Sequence, residues 1–367
     1  MKLLLLANPA SSHTIKWANS LSRKGIDVYL FGLNGLDKNS FDEKIKIETL
    51  YLPNIFQSNQ DGAFSKIIYL AALRRIKSLI KKIKPDILHA HYASSYGVLG
   101  ALTGFHPYVI SVWGSDIYIM PEKNFFNRKL IEFSLSKANA ICSTSFAMAE
   151  QTKKFSSKKI EVIPFGIDTG KFKPVKVDSL FHEKSIVIGT VKTLEMKYGI
   201  EYLIKVFKLV KEKLTMVPLK LLIVGGGAKE NQFKKLVKDL SIDADTIFTG
   251  YINHEEIPKY HNMIDIFVSL SDTESFGVSA LEASACGKPV VVSDADGFKE
   301  VVKDNHTGII VRRGDVEAAS KAIITLIENA DLRFKLGSGG REHVIQNYDW
   351  NKNVDEMINV YKKLLLS

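Results

Sequence analysis

Short apolar runs alternate with amphipathic stretches from one end of the chain to the other, and this alternation narrows the fold more than any single residue does. Apolar runs of strand length, separated by helical patterns, describe strands buried on both faces. The matching architecture is an α/β fold with parallel sheets covered by helices. Candidate strands lie at 2–7, 27–31, 87–89, 108–112 and 140–143, then at 186–190, 219–224, 246–248, 266–269, 289–293 and 308–311. Two Rossmann-like halves facing across a cleft follow, and 367 residues suffice for two domains with real cores. The boundary is expected near Asp168, where Pro164, Gly166 and Pro174 punctuate the chain. Ligands of such folds sit outside the carboxyl ends of the strands, which puts the expected active site in the cleft.

One run carries the most chemistry: Asp272-Thr-Glu-Ser-Phe-Gly-Val-Ser-Ala-Leu-Glu-Ala283. It is expected to set Glu274 at the mouth of a helix and Glu282 about two turns inside it, with Gly277 letting a ligand approach the backbone. A helix N-terminus offers free N–H groups and a positive dipole end to phosphate. A carboxylate accepts hydrogen bonds from sugar or ribose hydroxyls. Together these suit a nucleotide sugar. If all eight intervening steps are helical, the two carboxylates stand roughly 12 Å apart, wider than the acid pair of a glycoside hydrolase. They read as groups at opposite ends of one ligand. The plainer alternative is a capping Glu and a second Glu paired on the helix flank.

Lys192 and Lys197 lie in a loop between Gly189 and Gly199. Fixed cations there would stabilise a departing nucleoside diphosphate more than the ground state. The net charge of +10 is lopsided, +9 up to Asp168 and +1 after it. No RNA-binding motif or basic-aromatic alternation accompanies the excess, so nucleic acid is not the expected partner; an anionic membrane surface or anionic acceptor fits better. Two isolated cysteines, Cys142 and Cys286, offer no metal spacing or disulfide framework and suit a cytoplasmic setting. The apolar opening 3–7 reads as a buried strand, being too short for a signal-peptide core.

These motifs resemble the retaining GT-B glycosyltransferases of family 4, the glycosyl transferases group 1. The likeness rests on the Glu-x7-Glu run, on Val162-Ile-Pro-Phe-Gly-Ile-Asp168 with Phe172 and Pro174, and on the Gly189 to Gly199 loop. It implies an N-terminal acceptor-side domain at 1–168, a nucleotide-sugar domain at 169–350, and a helix at about 351–367 crossing back to the first domain. It implies that Glu274 meets the donor sugar, that the backbone of Phe276, Gly277 and Val278 meets sugar and phosphate, and that Glu282 meets ribose. Lys192 and Lys197 fall to the diphosphate, Lys192 standing where the family usually has Arg and so lacking the bidentate fork. Gly225 opens a glycine turn near the nucleotide, and Tyr251 and Ile252 occupy the stretch that contacts the base.

On the acceptor side the resemblance points to Ser12 and His13 in the first strand-to-helix loop, to His91, and to Trp113 and Asp116. Trp113 replaces a His that relatives aim at the donor sugar; Asp116 is expected to orient the acceptor. The catalytic candidates are therefore Lys197, Lys192, Glu274, Asp116 and His13. Asp243-Ala-Asp245 and Asp294-Ala-Asp296 look like a metal-binding Asp-x-Asp but lack its context, so neither a metal nor another cofactor is expected.

The reading is a metal-independent retaining transferase using a UDP-sugar, or second GDP-mannose, on a lipid-linked saccharide of surface polysaccharide assembly. A small soluble acceptor such as malate is the alternative, since His91-Tyr-Ala93 and Gly-Ser-Asp116 also resemble the bacillithiol-type synthases. A sugar-nucleotide epimerase and a non-catalytic sugar-nucleotide-binding protein are further rivals. Finally, a helix at about 65–84 carries a stripe of Ile68, Ala72, Ile76, Leu79 and Ile83 and a basic face of Arg74, Arg75, Lys77, Lys81, Lys82 and Lys84. It is either a membrane-docking helix, which would make the protein peripheral at the inner face, or a core helix with a solvated flank.

Overall fold

The structure, a computed structural model, describes residues 1–33, 40–50 and 63–366, with side chains from Tyr69 onward in the helix Ala63–Ile83. The chain divides into two compact units, Met1–Pro164 with Asn353–Ser367, and Phe165–Lys352.

Unit 1 is built on a seven-stranded sheet. Its strands are β1 (Lys2–Leu6), β2 (Asp27–Gly32), β3 (Lys46–Thr49), β4 (Ile87–His91), β5 (Tyr108–Val112), β6 (Ala140–Ser143) and β7 (Ile160–Val162). The order is β3-β2-β1-β4-β5-β6-β7, every pair parallel. Sequence reading finds the five inner strands and misses the two edges. The inner strands are unbroken apolar runs, whereas Lys46-Ile-Glu-Thr49 and Ile160-Glu-Val162 are short, mixed and only half buried, as sheet edges are. β4 also runs two residues further than the expected strand, so His89 and His91 both lie in it, on one face.

Unit 2 has a six-stranded sheet of β8 (Ile186–Val191), β9 (Leu219–Val224), β10 (Thr246–Phe248), β11 (Ile266–Ser269), β12 (Val290–Ser293) and β13 (Gly308–Val311). The order is β10-β9-β8-β11-β12-β13, again all parallel. Each sheet therefore reverses its winding once, between β1 and β4 in unit 1 and between β8 and β11 in unit 2. That reversal opens the crevice in which doubly wound sheets bind ligands. Each sheet is covered by helices whose apolar faces complete its core.

The basic helix Ala63–Ile83 is one of these. Ala72, Ile76, Leu79 and Ile83 are buried in the unit 1 core, so the stripe is spent on the sheet. Ile68 lies outside the described side chains. Arg74, Arg75, Lys77, Lys81 and Lys82 are exposed, and Arg75 forms an ion pair with Glu48 of β3. Among the described residues no helix is long and apolar enough to cross a membrane.

Candidate functional site

At the unit 2 crevice the topology joins residues far apart in sequence. Lys192 directly follows β8, where its N–H donates to Val224 O of β9 at 2.9 Å. Glu274 lies in the loop after the neighbouring strand β11. Lys192 Nζ donates to Glu274 Oε2 at 2.5 Å, the two side chains being only 13% and 10% exposed. The sequence motifs assign these residues to separate parts of a donor. The structure shows them holding each other.

Glu274 and Glu282 do not lie on one helix. The helix begins only at Val278 and ends at Ala285, so Glu274 stands in the preceding loop and the rise of about 1.5 Å per residue covers only Val278 to Glu282. Gly277 precedes the helix with φ 95, and a Cβ there would sit 2.9 Å from the Phe298 ring. Glycine is thus required by the turn itself, whatever approaches it. Gly297 is fixed similarly: its N–H donates to Glu274 O at 3.0 Å, and a Cβ would lie 2.5 Å from Phe276 N. The Phe276 side chain is buried between Phe165 and Tyr348.

Glu282 is buried on that helix between two histidines that sequence reading missed. His254 Nε2 lies 3.3 Å from Oε1 and His261 Nε2 lies 3.4 Å from Oε2. Burial alone would push the Glu282 carboxyl up, but the hydrogen bonds and charge of the two histidines outweigh it and bring it down to about 2. His261 is fully buried against Phe172 and Phe267, and its Nδ1 finds no partner. No local spacing could have revealed this bracket, because His254 is 28 positions from Glu282 and His261 is 21.

Lys197 sits in the 3-10 turn Met196–Tyr198, half exposed and 3.3 Å from Glu195. Burial, the largest single influence, lowers its ammonium, but Tyr198 and Glu195 together outweigh it and leave it above the usual lysine range. Gly225 adopts φ 128, and a Cβ there would overlap the Lys192 carbonyl; its N–H reaches Gly250 O at 3.1 Å. Beyond that turn Tyr251 is 87% exposed and Ile252 half buried. In the two Asp-x-Asp runs Asp245 pairs with Lys220 at 2.9 Å and with Lys211, and Asp294 with Arg313 at 3.1 Å, while Asp296 lies 3.9 Å from Lys299.

The carboxyl ends of β1, β4 and β5 in unit 1 gather a different set. Ser12 and His13 are the first two residues of the helix Ser12–Arg23, not part of the loop before it. The His13 ring meets Trp113 edge-on at 5.9 Å, and Trp113 lies 4.1 Å from the His91 ring. Both His91 and Trp113 are buried, and His91 Nδ1 has no hydrogen-bond partner. His89 lies behind, bonded through Nδ1 to Tyr361 of the last helix at 2.7 Å and through Nε2 to Ser111 at 2.8 Å. Burial drives the His89 imidazole down to about 3; it drives His91 well below the usual range, with His89 and His13 adding to the effect.

Asp116 departs from its expected role as an acceptor-orienting group. It is buried, Oδ2 accepting from Ala93 N–H at 2.8 Å and Oδ1 from Gly114 and Trp113 N–H at 2.9 and 3.2 Å. Burial raises its carboxyl above the usual carboxylate range, and these backbone donors offset only part of the rise. Asp116 fastens the turn that presents Trp113 and keeps no oxygen clear of the backbone.

Two family models match the chain, one described as glycosyl transferases group 1 over residues 172–343 and one as glycosyl transferase 4-like over residues 2–145. The chain is 25% identical to the N-acetyl-alpha-D-glucosaminyl L-malate synthase of Bacillus anthracis over 330 residues, 85% of each protein. It is 28% identical to a GDP-mannose-dependent phosphatidylinositol monomannoside mannosyltransferase of Mycobacterium tuberculosis over 205 residues, 52% of the chain and 53% of that relative. In fold it is similar to Anabaena HepE, solved in complex with UDP, with a TM-score of 0.80 at 18% identity, covering 99% of the chain and all of that structure.

Proposed function

The chain belongs to the GT-B glycosyltransferases of group 1, and from that premise we propose that it moves a sugar, with retention, from a nucleoside-diphosphate donor to a hydroxyl acceptor. The observation that carries the proposal is the buried Lys192–Glu274 pair at the reversal of the unit 2 sheet, close in sequence to the helix Val278–Ala285. Diphosphate draws Lys192 and Lys197, while Glu274 accepts from sugar hydroxyls and Glu282 from ribose. The acceptor oxygen attacks the anomeric carbon from the face that the diphosphate leaves. The carbon–phosphate-oxygen bond breaks, and the acceptor proton passes to the departing phosphate oxygen. The two lysines supply the charge that a metal supplies elsewhere.

A UDP-sugar is the first donor and GDP-mannose the second, the latter being the donor named for the mycobacterial relative. The acceptor is a lipid-linked saccharide on the cytoplasmic side of a membrane, a reading supported by the exposed basic face of the helix Ala63–Ile83. The match to the malate synthase over 85% of both proteins favours a second reading, a small soluble hydroxy acid.

A panel of UDP- and GDP-sugars screened by thermal shift identifies the donor, since a ligand of the folded state raises the unfolding temperature. The chosen donor is then offered malate or a lipid-linked saccharide, with and without EDTA, and the anomeric configuration of the product is read by NMR. A retained α-product formed in EDTA is expected. An inverted product, or activity restored only by manganese, would remove the mechanism; turnover of malate alone would select the second reading.

A further inference from the structure

An ammonium on a flexible four-carbon stem has no planar fork to set its own direction, so a lysine at position 192 must be aimed from outside. Glu274 does part of this, but it is an anion and therefore opposes the arrival of a diphosphate. Tyr198 is a second holder without that drawback. Lys192 Nζ lies 4.6 Å from the centroid of the Tyr198 ring and Lys197 Nζ lies 4.9 Å from it. Both are within the roughly 6 Å reach of a cation–π contact.

The backbone fixes where this ring points. Tyr198 ends the turn Met196–Tyr198, and Gly199 follows with φ 69, where a Cβ would overlap the Leu270 carbonyl. Asp272 N–H donates to Lys197 O at 2.9 Å, tying the turn to the loop that carries Glu274. The turn that carries the ring is thus tied to the same strand end as the carboxylate, and two like charges approach the ring.

We infer that Tyr198 is a positioning residue for the donor diphosphate, its ring holding the Lys192 and Lys197 ammonium groups in place while phosphate displaces their carboxylate partners. The inference rests on the reading of these lysines as diphosphate ligands. A neutral ring suits the task because it attracts cations without repelling the phosphate that must come between them and Glu274 or Glu195. It also accounts for how lysine serves where a guanidinium would carry its own orientation.

The test uses the full chain, calorimetry with UDP and with GDP, and donor kinetics. Tyr198→Leu should weaken whichever nucleotide binds by about tenfold and raise donor KM by more than it lowers kcat. Tyr198→Phe, which keeps the ring and loses only the hydroxyl bonded to Lys197, should lose about threefold at most. In a Lys192→Arg background the loss caused by Tyr198→Leu should shrink to about threefold, since the guanidinium fork is preset. Should the leucine variant fail to fold, Tyr198→Gln carries the same comparison. Wild-type affinity in Tyr198→Leu, an equal loss in Tyr198→Phe, or an undiminished loss in the arginine background would each overturn the inference. Unchanged nucleotide affinity in both Lys192→Ala and Lys197→Ala would instead remove the diphosphate reading beneath it.

Discussion

At the ends of β8 and β11, Lys192 and Glu274 keep opposite charges in a nearly buried pair, whereas at the ends of β4 and β5 His89, His91 and Trp113 form a buried aromatic group with its imidazoles held neutral. The same crevice of the same kind of sheet is thus filled in two ways. A paired charge tolerates burial because its partner offsets much of the desolvation, and it can be traded for a ligand's charge. A lone imidazole has no such partner and sheds its proton instead. The paired charge lies in unit 2, and the neutral, aromatic group lies in unit 1.

The largest effect expected from this contrast is on Lys197. Lys197→Ala should lower kcat/KM by about a hundredfold or more, the scale seen when one preorganised electrostatic donor is lost. A loss below about tenfold would mean that the charges of unit 2 do not face the reaction.

A second measurement separates the units by pH. Because burial holds folded His89 at about 3, the unfolded chain takes up a proton below about pH 6.5 that the folded chain refuses. Stability therefore falls as pH drops from about 6.5 toward 3, and at pH 5 His89 alone contributes about 2 kcal/mol of that fall. Glu282 behaves oppositely. With its folded carboxyl lowered to about 2, its stabilisation is full above about pH 4.5 and is lost only as pH falls through about 2. Denaturant unfolding between pH 7 and 5 should show a shallower slope in His89→Gln and an unchanged slope in Glu282→Gln. Equal slopes in wild type and His89→Gln would break the contrast.

Glu282→Ala should weaken nucleoside-diphosphate binding by about tenfold, and Glu274→Ala should chiefly lower turnover, each charge-assisted hydrogen bond being worth roughly 1.5 to 3 kcal/mol. Calorimetry that finds the Glu282 variant binding as wild type would leave the His254–Glu282–His261 bracket a purely structural device. A separate measurement, on vesicles and not on the donor, concerns the flank of unit 1. Changing Arg74, Arg75, Lys77 and Lys81 to Glu should reduce sedimentation with anionic vesicles, at about 1 kcal/mol per basic residue and fading as salt rises. Equal sedimentation at low salt would leave that face merely solvated and favour the soluble acceptor.

The surroundings of some of these residues are legible in the sequence and those of others are not. The Glu-x7-Glu run stands out because its glycine and helix start are local demands of a turn, which a linear motif can record. Asp116 stands out equally, yet its side chain serves the N–H groups of its own turn and of Ala93. Such local bonding by Asp is common where a helix starts, and it accounts for the bonds to Trp113 and Gly114 but not for the one to Ala93, 23 positions away. The amphipathic basic helix admits two explanations in sequence because a stripe shows that a face is buried without saying against what. The unit 1 core settles that for Ala72, Ile76, Leu79 and Ile83.

By itself the sequence determines the two parallel sheets, their inner strands and the glycine turns after them, because burial on both faces and tight turns are written in consecutive residues. Only the tertiary structure decides the partners. Lys192 meets Glu274 across 82 positions, Glu282 meets two histidines from another segment, and His89 meets Tyr361 across 272. These pairings arise because parallel strands adjacent in a sheet need not be adjacent in the chain, and a hydrogen bond depends on distance in space alone.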